Sequence, residues 1–440
     1  MSTKLKGQYG LTVAVSMVVG IVIGIGIFFK TSQILLSTDL NPMAAITAWI
    51  LGGIISVLSG LTVAEVGAAI PETGGTFAWV RKIYGDKLAF LVGWAQVTIY
   101  NPAIIALIAY YFAFFTMQFL GIESTVFIHV SISFSAMIFV YLINIYTKNF
   151  GGKLQTIVTV AKILPIFLII IFGILYVPET APEVSSTPLE VSSDKSFWLL
   201  VGTAILPIMF AFDGWIYVGT IAGDLKDPKR DLPKAIIFGL SFIAVVYILL
   251  NIALLNVYSP DILVEKGMFG VAEEIFGAMG SKFVYAGIVI SAFGGLNGFI
   301  LVTTRVPYSL ADERLFPKSD YFNQIEDKTG QPLRSSYLML VISLAYLITM
   351  FVSGEVDAFG DVPIALIWIF YTIVFVGLIV LRKKQPNLER PYRVPLYPII
   401  PILSIIGGLT VGISALISEP GYFILSIIVT LSGLFFYKQR

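Results

Sequence analysis

The chain has 440 residues, of which 57% are hydrophobic and only 12% are Asp, Glu, Lys or Arg, about half the charged share of soluble globular domains. A mean hydropathy of +0.90, with apolar runs of about 20 residues recurring from end to end, points to a bilayer as solvent and excludes a soluble enzyme. The 28 basic and 27 acidic residues leave a net charge of +1 and no basic face for nucleic acid. Zero cysteines and a single histidine remove disulfides, thiolate metal sites and multi-histidine clusters.

A helical residue rises about 1.5 Å, so about 20 residues cross a 30 Å hydrocarbon core. Twelve runs meet that length, at about 9–30, 42–69, 86–119, 125–146, 154–177, 197–222, 233–257, 281–304, 335–353, 360–381, 399–417 and 420–437. The first is too long for a signal peptide and lacks a small-residue cleavage site, so the N-terminus is expected to remain. With that terminus inside, Arg81, Lys82, Lys229, Arg230, Arg382 and Arg390 fall in cytoplasmic segments with most other basic residues, and Lys30 is among the few outside. The positive-inside rule then puts both termini in the cytoplasm.

The Pro-, Ser-, Thr- and Glu-rich stretch from Pro178 to Ser196 follows five runs. Five is odd, so a second group of five starts from the opposite face and any internal repeat is inverted, a plan common in secondary transporters. The expected units are residues 1–177, residues 178–381, and residues 382–440 with two further helices.

In the first run, Gly20-Ile21-Val22-Ile23-Gly24-Ile25-Gly26 concentrates weak helix formers, each glycine costing about 1 kcal/mol against alanine. Unwound there, the amides of Gly24, Ile25 and Gly26 would cradle a carboxylate; a GxxxG packing face is the other reading. Glu65 ends the second run as an interfacial anchor, and His129 in the fourth is a helix-packing or interfacial side chain. Lys162 stands inside the fifth run, either snorkelling to the interface or fixed internally in place of a coupling ion. In the sixth, Phe210-Ala211-Phe212-Asp213-Gly214-Trp215 interrupts an apolar helix; Asp213 is a functional group or the cap of a half-helix, and carbonyls of Phe210 and Phe212 would face an ammonium. Two broken helices, one offering N–H groups and the other C=O groups, fit a zwitterion.

These segments resemble the amino acid-polyamine-organocation superfamily and, within it, the L-amino-acid transporter family, nearest the bacterial serine/threonine and alanine-serine-cysteine exchangers. The resemblance is carried by residues 24–28 and 210–215, by Pro71 to Gly75, Asp227 to Ala235, Phe293 to Gly298, and Glu389 to Pro395. It implies an all-α integral membrane protein of 12 transmembrane helices, with a LeuT-type 5+5 inverted repeat plus two C-terminal helices. It also implies sodium-independent exchange of small neutral L-amino acids at the cell membrane, without a cofactor. By the same resemblance the substrate carboxylate meets amides around Ile23, Gly24, Ile25 and Gly26. The ammonium meets carbonyls near Ile21, Val22, Phe210, Ala211 and Asp213. Phe210 resembles an aromatic gate, and Asn101, Phe293, Gly294, Asn297 and Trp368 resemble pocket-lining residues. Lys162 would approach the first and eighth helices where relatives hold sodium, with Ser291 as neighbour. Ile21 and Ile25 stand where many family members carry Thr and Ser, so two hydroxyls are missing. Animal members pair with a glycoprotein through a cysteine; this chain has none, and is expected to work as a monomer on amino acids in the lipid bilayer. A proton-coupled symporter, with Lys162 or Asp213 titrating, is the alternative. A channel would need a symmetric oligomer, and an intramembrane enzyme a metal set or a nucleophile with a base.

Overall fold

The fold was taken from a computed structural model, which describes residues 10–24, 26–72, 74–146, 150–177, 195–326 and 329–437. All regular secondary structure among the described residues is helical. The first half comprises α1 (Leu11–Val22), α2 (Gly26–Ser37), α3 (Pro42–Ala69), α4 (Thr76–Tyr84), α5 (Asp86–Ala95), α6 (Asn101–Leu120), α7 (Val126–Tyr146) and α8 (Phe150–Leu175). Then come α9 (Phe197–Ala211), α10 (Pro228–Val257), α11 (Pro260–Phe276), α12 (Ala278–Thr303), α13 (Arg305–Asp312), α14 (Ser319–Phe322), α15 (Leu333–Ser353), α16 (Ala358–Lys384), α17 (Ile399–Ser418) and α18 (Pro420–Ser432). Nine described helices are long and apolar enough to cross a membrane, or ten if the bent pair α1–α2 is one span; shorter apolar stretches lie at Lys162–Leu175 and Pro420–Phe435.

Two helices break where the sequence is weakest. At the first break, Ile23 leaves helical geometry with φ −71° and ψ 74°. The Gly24 N–H closes a tight turn on the Val22 carbonyl at 2.7 Å, and α2 departs at 44° from α1. At the second, α9 ends at Ala211, and Gly214 adopts φ 99° before a 3₁₀ helix from Trp215 to Asp224. That backbone conformation is open to glycine at little cost.

Packing around the breaks relies on small residues. α10 lies along α3, whose buried Gly53, Ser56 and Gly60 let the two backbones approach. The opposite surfaces of α15, α17 and α18 expose Val341, Ile348, Leu409, Ile413 and Ile428, a face that suits hydrocarbon.

Three polar side chains inside the bundle are set by long-range partners. Glu65 is fully buried rather than interfacial. Arg382 donates to both its oxygens at 2.8 and 2.6 Å, and the Val394 N–H adds a third bond at 2.7 Å. This bidentate, charge-assisted contact ties α3 to α16 and to the chain that follows α16. Lys30, expected in an external segment, is buried in α2 against Asp361 of α16. His129 packs between helices, its Nε2 donating to the Tyr110 carbonyl at 2.9 Å with Phe351 edge-on at 5.1 Å.

Candidate functional site

The two breaks face one another across a small cavity of about 40 Å³, room for about three waters. Ile21, Val22, Gly24 and Gly26 line it from the first broken helix, and Phe210, Ala211 and Asp213 from the second. α6 adds Ile104 and Ile108, α12 adds Gly295 and Phe299, and α16 adds Ile364. Its walls are therefore largely hydrocarbon, and its polar character comes from backbone and from Asp213.

A residue with no sequence signal joins the breaks. The Tyr247 hydroxyl of α10 lies 2.9 Å from the Val22 carbonyl and 3.1 Å from the Ala211 carbonyl, with its ring edge-on to Trp49 and Phe212. A tyrosine in an apolar run reads as packing, and only the fold shows that its hydroxyl reaches both free helix ends. The Phe210 carbonyl accepts from the Asp213 N–H at 3.1 Å.

The amides at the first break divide into two groups. Those of Ile23 and Gly24 are bonded to the Val19 and Val22 carbonyls. Gly26 opens α2, where the first N–H groups have no carbonyl one turn back. Ile25 lies outside the described residues.

The same turn explains Lys162. In a continuous helix the Gly24 N–H would bond to the Gly20 carbonyl; here it bonds to Val22. The buried Lys162 ammonium of α8 donates to Gly20 instead. The lysine thus does not snorkel to the interface. Nor does it bond to Ser291, whose buried hydroxyl has no hydrogen-bond partner among the described residues.

Asp213 is not a helix cap either. Its oxygens accept from the hydroxyls of Tyr100 and, at 3.3 Å, Tyr371, with the Gly214 N–H as a further donor, and the cap position of the following 3₁₀ helix is held by Gly214, without a side-chain cap bond.

Five other expected pocket residues do not line the cavity. Asn101 accepts from the Tyr217 hydroxyl at 2.6 Å, and Asn297 from Asn144 at 2.9 Å. Phe293 lies 6.0 Å from Phe112 and Trp368 5.6 Å from Tyr371, ring to ring, and Gly294 is buried off the lining. The lining residues on the same helices are Ile104, Ile108, Gly295, Phe299 and Ile364. Ile23 is buried behind the break.

Over the cavity, Phe210 meets the edge of Phe29, which stacks on Tyr111 at 4.1 Å. The Lys30 ammonium lies 4.8 Å from the Phe210 ring centre and 2.7 Å from Asp361, with Gln33 at 2.5 Å.

A family profile for amino acid permeases matches residues 9–433. The chain belongs to this family. The serine/threonine exchanger SteT of Bacillus subtilis (strain 168) is 35% identical to this permease over 433 residues, covering 98% of this chain and 96% of that protein. The b(0,+)-type amino acid transporter 1 of Mus musculus is 27% identical over 99% of this chain and 88% of its own length. The Asc-type amino acid transporter 1 of the same organism is 28% identical over 98% and 80%. The permease is a membrane-spanning amino acid transporter, and these relatives are transporters rather than enzymes.

Proposed function

We propose that this permease is a sodium-independent exchanger of small neutral L-amino acids such as Ala, Ser, Thr and Cys, working by alternating access. The observation that carries the reading is the small, hydrocarbon-walled cavity between two facing helix breaks. A relative covering nearly the whole chain is named as a serine/threonine exchanger, which supports both the exchange and the side-chain class.

In this reading the substrate carboxylate meets the start of α2 at Gly26 and its neighbour Ile25, where the helix dipole favours an anion. The ammonium meets the end of α9 and the carbonyl side of the first break, at Ile21, Val22, Phe210, Ala211 and Asp213. Its side chain faces Ile104, Ile108, Phe299 and Ile364, and Phe210 closes the cavity under Phe29 and Lys30. Lys162 supplies the positive charge that holds the first break in place of a coupling sodium. The chain then has twelve spans in two inverted halves, residues 1–177 and 178–381, followed by residues 382–440. It works as a monomer in the plasma membrane with both termini cytoplasmic.

The test is uptake of labelled serine by proteoliposomes holding the purified protein, with and without unlabelled alanine inside, in sodium and in choline buffer. Uptake is expected only with internal amino acid, at equal rates in the two buffers. Uptake into empty vesicles driven by a pH gradient would replace exchange by proton symport.

A further inference from the structure

Four carboxylates are buried among the described residues: Glu65, Asp213, Asp231 and Asp361. Three have cations. Glu65 meets Arg382 and Arg390, Asp231 meets Arg230, and Asp361 meets Lys30. Asp213 is the exception: its partners among the described residues are all neutral, the hydroxyls of Tyr100 and Tyr371 and the backbone N–H of Gly214. The two lysines buried among the described residues are engaged elsewhere, Lys30 with Asp361 and Lys162 with the Gly20 carbonyl.

A carboxylate inside a membrane protein without a cation carries a large desolvation penalty. These neutral donors relieve part of it and fix the group in place, but they leave its charge unmatched. Asp213 alone among the four lines the cavity. A cation that enters that cavity is therefore the partner that the described residues do not supply.

We infer that the Asp213 carboxylate is the counter-charge for the substrate's α-ammonium, held in position by Tyr100 and Tyr371, so that substrate completes an ion pair the empty protein lacks. The inference rests on the amino acid exchange reading above and deepens it, because recognition of the amine then depends on a side-chain charge as well as on backbone carbonyls. The site selects ligands with a cationic α-amine and rejects 2-hydroxy acids of the same shape. An Asp213 held permanently protonated between the tyrosines is the competing state, and asparagine mimics it.

The experiment measures competition by alanine and by lactate against labelled serine uptake in alanine-loaded proteoliposomes, for wild type, Asp213→Asn and Asp213→Glu at equal incorporated protein. In wild type, alanine should compete about a hundredfold better than lactate, the size of a lost charge-assisted bond. Asp213→Asn should raise the alanine concentration needed by about tenfold or more and shrink the alanine-to-lactate ratio, while Asp213→Glu restores part of that ratio. A wild-type ratio in Asp213→Asn overturns the assignment. If that variant does not accumulate, Asp213→Ser is measured in its place: a shrunken alanine-to-lactate ratio upholds the assignment, and a wild-type ratio overturns it. Wild-type vesicles that exchange no amino acid at all would overturn the exchange reading itself. Exchange by wild type with an unchanged ratio in the Asn variant would overturn only the role of Asp213.

Discussion

The ammonium of Lys30 lies 2.7 Å from the carboxylate of Asp361, with both side chains buried. The pair joins α2 to α16 directly over Phe210, whose ring lines the cavity. Removing one partner strands a buried charge, which costs about 3–5 kcal/mol. Lys30→Ala and Asp361→Ala should each lower the melting temperature of the purified protein markedly, and the double variant should lose clearly less than the two losses added. Additive losses would show that the two groups do not act as a pair.

The glycines of the first break are not equivalent. A Cβ on Gly26 would lie 3.1 Å from the Phe210 ring and 3.2 Å from the Ala211 Cα, a backbone atom that cannot swing aside. A Cβ on Gly24 would meet nothing closer than the Ile21 carbonyl oxygen at 3.4 Å, and Gly24 does not have positive φ. Gly26→Ala should therefore slow exchange about tenfold, the scale of overpacking a close contact, while Gly24→Ala stays near wild type. Initial exchange rates at equal incorporated protein check this, and equal loss in both variants would contradict it.

The breaks themselves are legible in the sequence, because Gly24-Ile25-Gly26 and Asp213-Gly214 are weak helix formers set inside apolar runs. Which side chains face the cavity is not legible. α6 and α12 are apolar nearly all round, so period alone cannot choose Ile104 and Ile108 over Asn101, or Phe299 over Asn297. Partners distant in sequence are hidden for a different reason. Lys30 and Asp361 are 331 positions apart and Glu65 and Arg382 are 317 apart, so a lysine near a helix end reads as solvated until the fold brings its carboxylate to it. Lys162 was visible as an intramembrane charge, but the carbonyl it serves depends on how the first break turns.

Glu65 gives a stability test separate from transport. Its Arg382 partner is partly exposed while Arg390 and Glu65 itself are buried, so Glu65→Gln should cost about 2–3 kcal/mol, less than a fully buried pair. The variant should melt earlier and extract from membranes in lower yield. Because Glu65 does not line the cavity, the serine concentration at half-maximal exchange should not change in the protein that survives. A large shift in that concentration with unchanged melting would assign Glu65 to transport instead of to the clamp between α3 and α16.

Lys162 and Ser291 separate two accounts of the first break. If the ammonium acts by taking over the Gly20 carbonyl, removing it leaves a buried acceptor unpaired, a loss of about 1–3 kcal/mol. Lys162→Ala should then slow exchange about tenfold or more in sodium and in choline alike, with wild-type rates also equal in the two buffers. Ser291→Ala should stay within about twofold of wild type, since its hydroxyl has no hydrogen-bond partner among the described residues. An account in which Lys162 works through Ser291 requires both variants to slow together. Exchange assays of the two variants and wild type, each in both buffers, decide between them: a normal rate in Lys162→Ala would remove the lysine from the mechanism, and a defect in Ser291→Ala matching that of Lys162→Ala would move its point of action from α1 to α12.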